Sequence, residues 1–252
     1  MVVDGRGYGF FMSYDPINLV FIVCVSSDAV LKQHFLRSPC IQSKKYPVHL
    51  HYDCPSAAAA FNPYALGKHS FPNNTWLIWV HQDVYLPSDW DRLFMNNLIA
   101  AQQHFPRLSV LGLYGVYGSG PSAIRAGKLL DRGNPLIERA KLPCLVDSLD
   151  ELLIAVDYKA GLGFDPHLCF DFYGTDIALQ AQEKNMQTAV IEAPCEHWSG
   201  TPQNPPFPPN LIARIEKSAA VFEEKWAHRL PITTPCFEVN QAGSTQAFLR
   251  AL

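Results

Sequence analysis

The run Asn18-Leu-Val-Phe-Ile-Val-Cys-Val25 constrains this chain more than any other segment. From Leu19 it is apolar without a break and rich in β-branched side chains, so neither the stripe of an amphipathic helix nor the alternation of a half-buried strand describes it. Such a strand is buried on both faces, as in a parallel sheet covered by helices. Thr75-Trp-Leu-Ile-Trp-Val80 repeats the pattern, and Val48 to Tyr52, Ser109 to Leu113 and Thr188 to Glu192 read as further strands. Helices are expected between and after them. Ala29 to Leu36 follows the capping residues Ser26 to Asp28, and Ala57 to Leu66 is interrupted by Pro63. Ser88 to Asp91 and Ser148 to Glu151 fit capping boxes, the second opening a helix to Asp157. Thr175 to Lys184 and Leu211 to Ala227 complete the set, while Gly112 to Gly133 carries no assignable period. Strands alternating with helices imply an α/β fold with a mostly parallel central sheet flanked by helices.

Composition narrows what such a fold does. With 252 residues and 48% hydrophobic content the chain can bury one large core and is too apolar to be disordered. Twenty basic against 23 acidic residues leave a net charge of −3, which gives no general attraction for nucleic acid or an anionic membrane. No apolar run approaches the roughly 20 residues of a spanning helix. Seven scattered cysteines without a Cys-x-x-Cys pair read as reduced core residues of a cytoplasmic protein.

Ligands of open α/β sheets sit at the carboxyl ends of the strands. Polar residues gather there: Ser26 to Asp28, Asp53, His81-Gln82-Asp83, and His197 after the last strand. A rigid strand holds the His81 to Asp83 segment at the rim of a cleft, where a metal or phosphate site needs it. Asp83 is the best metal-ligand candidate, a hard oxygen suited to Mg²⁺ or Mn²⁺, and His197 joins it if the two strand ends are neighbours. Asp176 opens a helix whose dipole favours its ionised form, so it is the candidate proton acceptor, with Asp165 and Asp171 as alternatives. Gly115, Gly118 and Gly120 match no phosphate-loop pattern. On the last helix Lys225 is a candidate phosphate contact, and Trp226 falls on the apolar stripe.

Seven segments in order, Phe21 to Val25, His81 to Val84, Val146 to Glu151, Phe164 to Pro166, Phe172 to Asp176, Glu196 to Gly200 and Phe222 to Trp226, carry a family pattern. Over roughly residues 17 to 228 the chain resembles the streptomycin-biosynthesis-type branch of the family 2-like glycosyltransferases. The resemblance implies a GT-A fold over 17–230, between an irregular extension (1–16) and a C-terminal tail (231–252). It also implies a nucleotide-sugar donor, a sugar or glycan acceptor, and Mn²⁺ or Mg²⁺ held against the donor diphosphate. Asp83 would bind metal and donor with His197 as partner, and His81 and Gln82 would face the donor beside it. Asp176 would deprotonate the acceptor hydroxyl. Asp53 and the Ser26 to Ser27 turn would face base and ribose, with Asn62 nearby and Lys225 toward phosphate. Where the family's Asp-x-Asp motif begins with an acid, this chain has His81, and Thr175 stands where an acid often precedes the base.

The expected reaction is a single displacement that inverts the anomeric centre, with loops around Gly112 to Gly133 or Pro202 to Pro209 ordering on donor binding. Two other readings stay open: a nucleotidyl or phosphoryl transferase, and a nucleotide-sugar or glycan-binding module without turnover. Phe237 and the residues from Phe248 to Leu252 suit either docking on a partner or packing back on the domain.

Overall fold

A computed structural model describes residues 16–67, 69–200 and 206–251. The expected extension up to residue 15, residues 202–205 of the proline-rich segment and Leu252 lie outside the described residues. In chain order the strands are β1 (Asn18–Val25), β2 (Val48–Tyr52), β3 (Thr75–Val80), β4 (Val84–Tyr85), β5 (Leu108–Gly112), β6 (Tyr114–Tyr117), β7 (Ile124–Asp131) and β8 (Asn134–Ile137), followed by β9 (Cys144–Leu145), β10 (Ser148–Leu149), β11 (Leu153–Asp157), β12 (Gln187–Val190), β13 (Glu196–His197), β14 (Ile232–Thr233) and β15 (Glu238–Val239). The α-helices are α1 (Asp28–Gln33), α2 (Pro39–Gln42), α3 (Ala57–Ala65), α4 (Trp90–His104), α5 (Tyr173–Glu183), α6 (Pro209–Lys225) and α7 (Ser244–Ala251).

The main sheet runs β2-β1-β3-β11-β5-β12-β9. β1 lies parallel to β2 and β3, and β12 is parallel to β5, whereas β11 and β9 run antiparallel to their neighbours. The unbroken apolar run of β1 has a direct cause. Leu19, Phe21, Val23 and Val25 face one core with Trp90, Phe94 and Leu98 of α4. Val20 and Ile22 face the other, with Phe61 of α3 and Ile177 of α5.

Three expectations are corrected. Ser148 to Asp157 is not a helix: β10, a turn and β11 take its place. Leu153 to Val156 are all buried, with β11 between β3 and β5, and burial on both faces outweighs the capping signal. The would-be capping residues bond elsewhere, Ser148 Oγ with Thr175 Oγ1 at 2.7 Å and Glu151 Oε1 accepting the Gly174 N–H at 3.3 Å. α4 forms as expected, but Asp89 sits at φ 60° and caps nothing with its side chain. Pro63 does not interrupt α3, which ends two residues later, so only its last turn bears the missing donor. The unassigned stretch after Gly112 is the hairpin β6–β7, part of a second sheet ordered β10-β6-β7-β13-β4. The C-terminal residues pack back: Ile232, Val239 and Phe237 join a third cluster with Phe222 of α6 and Trp226 just after it. Among the described residues no helix is long and apolar enough to cross a membrane.

Candidate active site

The second sheet assembles the site rung by rung. β13 pairs antiparallel with β4, so His197 stands opposite Val84, the residue after Asp83. On its other side β13 pairs parallel with β7, which sets His197 beside Asp131. The main sheet adds the remaining pieces. β11 runs antiparallel to β3, so the residues just before β11 lie beside those just after β3, and the His81 N–H donates to the Leu152 carbonyl at 3.0 Å.

His81, Asp83 and His197 converge at this junction, each offering one ligand atom within 4.8 Å of the others. Asp83 Oδ1 is buried and has no hydrogen-bond partner among the described residues. It lies 3.7 Å from His197 Nε2 and 4.0 Å from His81 Nδ1. The protons of both rings are engaged on their far sides. His197 Nδ1 is 3.0 Å from Asp131 Oδ1, an acceptor, so Nδ1 carries the hydrogen and Nε2 turns a lone pair toward Asp83. His81 Nε2 is 2.7 Å from the Tyr173 hydroxyl, which also receives the Trp79 indole N–H at 3.1 Å and donates to the Glu151 carbonyl at 3.3 Å. With that donor spoken for, Tyr173 accepts from His81 Nε2–H, and Nδ1 is left free. Three acceptor atoms therefore face one another without a hydrogen between them. A cation with bonds of about 2.1 Å spans such separations. Burial at the cleft floor pushes the His81 pKa down although Asp83 pulls the other way, which keeps the imidazole neutral as a ligand must be.

Beside this trio lies a cleft of about 650 Å³ whose lining includes His81, Asp150, Glu151, Asp171 and Arg214. Burial, with the charges of Asp171 and Asp150, holds the Glu151 carboxyl well above the usual carboxylate range, against the Gly174 N–H and Arg214. Arg214 grips Asp171 with two hydrogen bonds, Nε to Oδ2 at 2.9 Å and Nη2 to Oδ1 at 3.0 Å. Gly174 is required where α5 crosses β10, since a Cβ there would stand 2.5 Å from the Leu149 carbonyl oxygen and 3.0 Å from Glu151 Cγ.

The expected donor residues separate into two groups. Ser26, Asp53 and Gln82 follow the adjacent strands β1, β2 and β3. Gln82 Oε1 accepts the N–H groups of Ser26 and Ser27 at 3.0 Å each, while its Nε2 donates to Ser26 Oγ at 2.7 Å, which fixes the turn. Asn62 and Lys225 do not join them. The Asn62 amide is spent on the backbone of Phe164, donating at 2.8 Å and accepting at 2.9 Å. Lys225 Nζ lies 2.7 Å from both Asp165 Oδ2 and Asp176 Oδ1, so its charge is already matched within the protein.

Asp176 is also placed otherwise than expected. Its side chain is 0% exposed, with Oδ1 held by Lys225 and by the Trp226 indole at 2.8 Å and Oδ2 by Gln180 at 2.6 Å. A carboxylate so enclosed has no face for an acceptor hydroxyl; it ties α5 to α6. Its neighbour Thr175 lines the cleft instead. Sequence reading missed Glu151, Asp131 and Tyr173. The acid pair Asp150-Glu151 directly before the apolar run Leu152 to Val156 was the available signal for Glu151.

No family model matches the sequence, and no curated protein matches it. Among solved structures the chain is similar to the mannosyltransferase PcManGT from Pyrobaculum calidifontis in complex with GDP-Man and Mn²⁺, with a TM-score of 0.50 and 10% identity over 86% of this chain. The match spans 64% of that protein. At this identity the likeness is one of fold: a mixed α/β architecture with a mostly parallel central sheet, of the GT-A type.

Proposed function

We propose that this chain is a divalent-metal-dependent glycosyltransferase that moves a sugar from a nucleoside-diphosphate donor to an acceptor hydroxyl with inversion. The observation that carries the reading is the buried, unpartnered Asp83 Oδ1 facing two imidazole lone pairs at the carboxyl end of β3, in a cleft that also holds Glu151. His81, Asp83 and His197 hold the cation, and Asp131 and Tyr173 fix the ring tautomers. His81 thereby substitutes a nitrogen ligand for the acid of the Asp-x-Asp pattern. Two imidazoles with one carboxylate favour Mn²⁺ over Mg²⁺. When bound, the cation supplies positive charge against the departing diphosphate.

The protein's own groups do the rest. The turn tied by Gln82 and Ser26, together with Asp53, forms the donor-facing rim. Glu151, rather than the enclosed Asp176, accepts the acceptor's proton as the hydroxyl oxygen bonds to the anomeric carbon and the bond to the diphosphate breaks. One displacement from the opposite face inverts the centre. The raised proton affinity of Glu151 suits this task, and Arg214 moderates it.

The test is release of nucleoside diphosphate from a donor panel that begins with GDP-mannose and Mn²⁺, the pair named for the structural neighbour. Turnover is expected to need a divalent cation and to fall by about 10²-fold or more in Glu151→Gln. Wild-type turnover in Glu151→Gln, or no release from any donor, contradicts the proposal.

A further inference from the structure

If the cleft performs glycosyl transfer, as proposed above, it must also seat the acceptor, and its walls describe that molecule. A volume of about 650 Å³ suits a small molecule. His81, Asp150, Glu151, Asp171 and Arg214 give this lining charged and polar groups, and Phe172, Leu211, Ile215, Phe237 and Phe248 give it apolar surface. Phe172, held at φ 67° before α5, stacks on Phe222 of α6 at 4.9 Å and meets Phe237 edge-on at 5.8 Å. Phe237 stacks in turn on Phe248 of α7 at 5.1 Å. Leu211 and Ile215 lie one turn apart on α6 and line the same cleft. The Thr234 hydroxyl, also in the lining, is already engaged: it donates to the Phe237 carbonyl at 2.8 Å and accepts the N–H groups of Cys236 and Phe237. A sugar carries a hydroxyl on most of its carbons, and burying them against these rings strips water without replacing its hydrogen bonds. An apolar body with a single hydroxyl meets no such penalty.

We infer that the acceptor is a small hydroxyl-bearing molecule with an apolar, ring-sized body. Its hydroxyl lies at Glu151 and its body against Phe172, Leu211, Ile215, Phe237 and Phe248.

Titration calorimetry on the full chain tests this with 2-naphthol and methyl α-mannopyranoside as probes, each with and without GDP and Mn²⁺. 2-Naphthol is expected to bind at least tenfold more tightly than the glycoside. Phe248→Asp, at a position 39% exposed and so tolerant of change, is expected to weaken 2-naphthol at least tenfold while Mn²⁺ binding, read by electron paramagnetic resonance, stays unchanged. Ile215→Asp serves as the second variant. No binding of 2-naphthol, glycoside binding of equal strength, or 2-naphthol affinity that survives both substitutions overturns the inference. Failure of the transferase reading looks different: the wild-type chain then binds neither Mn²⁺ nor GDP, whatever 2-naphthol does.

Discussion

Lys225 bridges Asp165 and Asp176 at 2.7 Å each, so its removal strands a fully buried carboxylate. Lys225→Met is expected to lower stability by about 3 kcal/mol in denaturant unfolding, the low end for a broken buried pair because Lys225 keeps part of its surface in water. A lysine reserved for a donor phosphate would cost the free protein nothing. Glu151 makes a pH-dependent statement. Its folded-state pKa is raised by burial and by Asp171 and Asp150, against Arg214 and the Gly174 N–H, with the Tyr173 phenol nearby. Its contribution to stability is fully present below the ordinary carboxylate range and is lost as pH rises through the raised value. In metal-free protein, Glu151→Gln is therefore expected to become more stable than the wild type by a margin that grows with pH; a margin independent of pH contradicts the assignment. Asp83 and His197 were legible as single residues because each follows a strand. At Asp176, helix position announces charge but not the enclosure by Lys225, Trp226 and Gln180.

β11 carries the largest difference between pattern and structure at the scale of elements. A capping box and a 3.6-residue spacing argue for helix over Ser148 to Asp157, yet Leu153 to Val156 complete the sheet between β3 and β5. Local signals worth about 1 kcal/mol yield to burial of four side chains at once. Ile154→Ala is expected to cost about 3 kcal/mol by equilibrium unfolding, since Ile154 is fully buried in the central sheet. The parallel strands were legible because burial on both faces writes an unbroken apolar run. The second sheet was not, because β4 and β13 have two residues each, too short for any period. The rung order β7-β13-β4 nevertheless sets Asp131 behind His197. Asp131→Ala is expected to weaken Mn²⁺ binding about 10- to 100-fold with the fold intact, as loss of an orienting carboxylate does.

On the scale of the molecule, two cores sandwich the main sheet, and a third cluster anchors β14 and β15 to α6 beside the cleft, with α7 attached through the Phe237–Phe248 stack. The carboxyl ends of β1, β2 and β3 form the rim proposed to face the donor, while the chain's later segments supply most of the cleft lining. Such a site is legible in sequence only as scattered strand-end residues; their convergence depends on pairings between distant strands. The central claim is that His81, Asp83 and His197 form one cation site serving a nucleotide. Mn²⁺ titration followed by electron paramagnetic resonance, with and without GDP, tests it most directly. One Mn²⁺ per chain, tightened by GDP and weakened at least tenfold in each of Asp83→Asn, His81→Ala and His197→Ala, is the expected result. Mn²⁺ affinity unchanged in these variants, or no bound Mn²⁺ in the wild-type chain, contradicts the account.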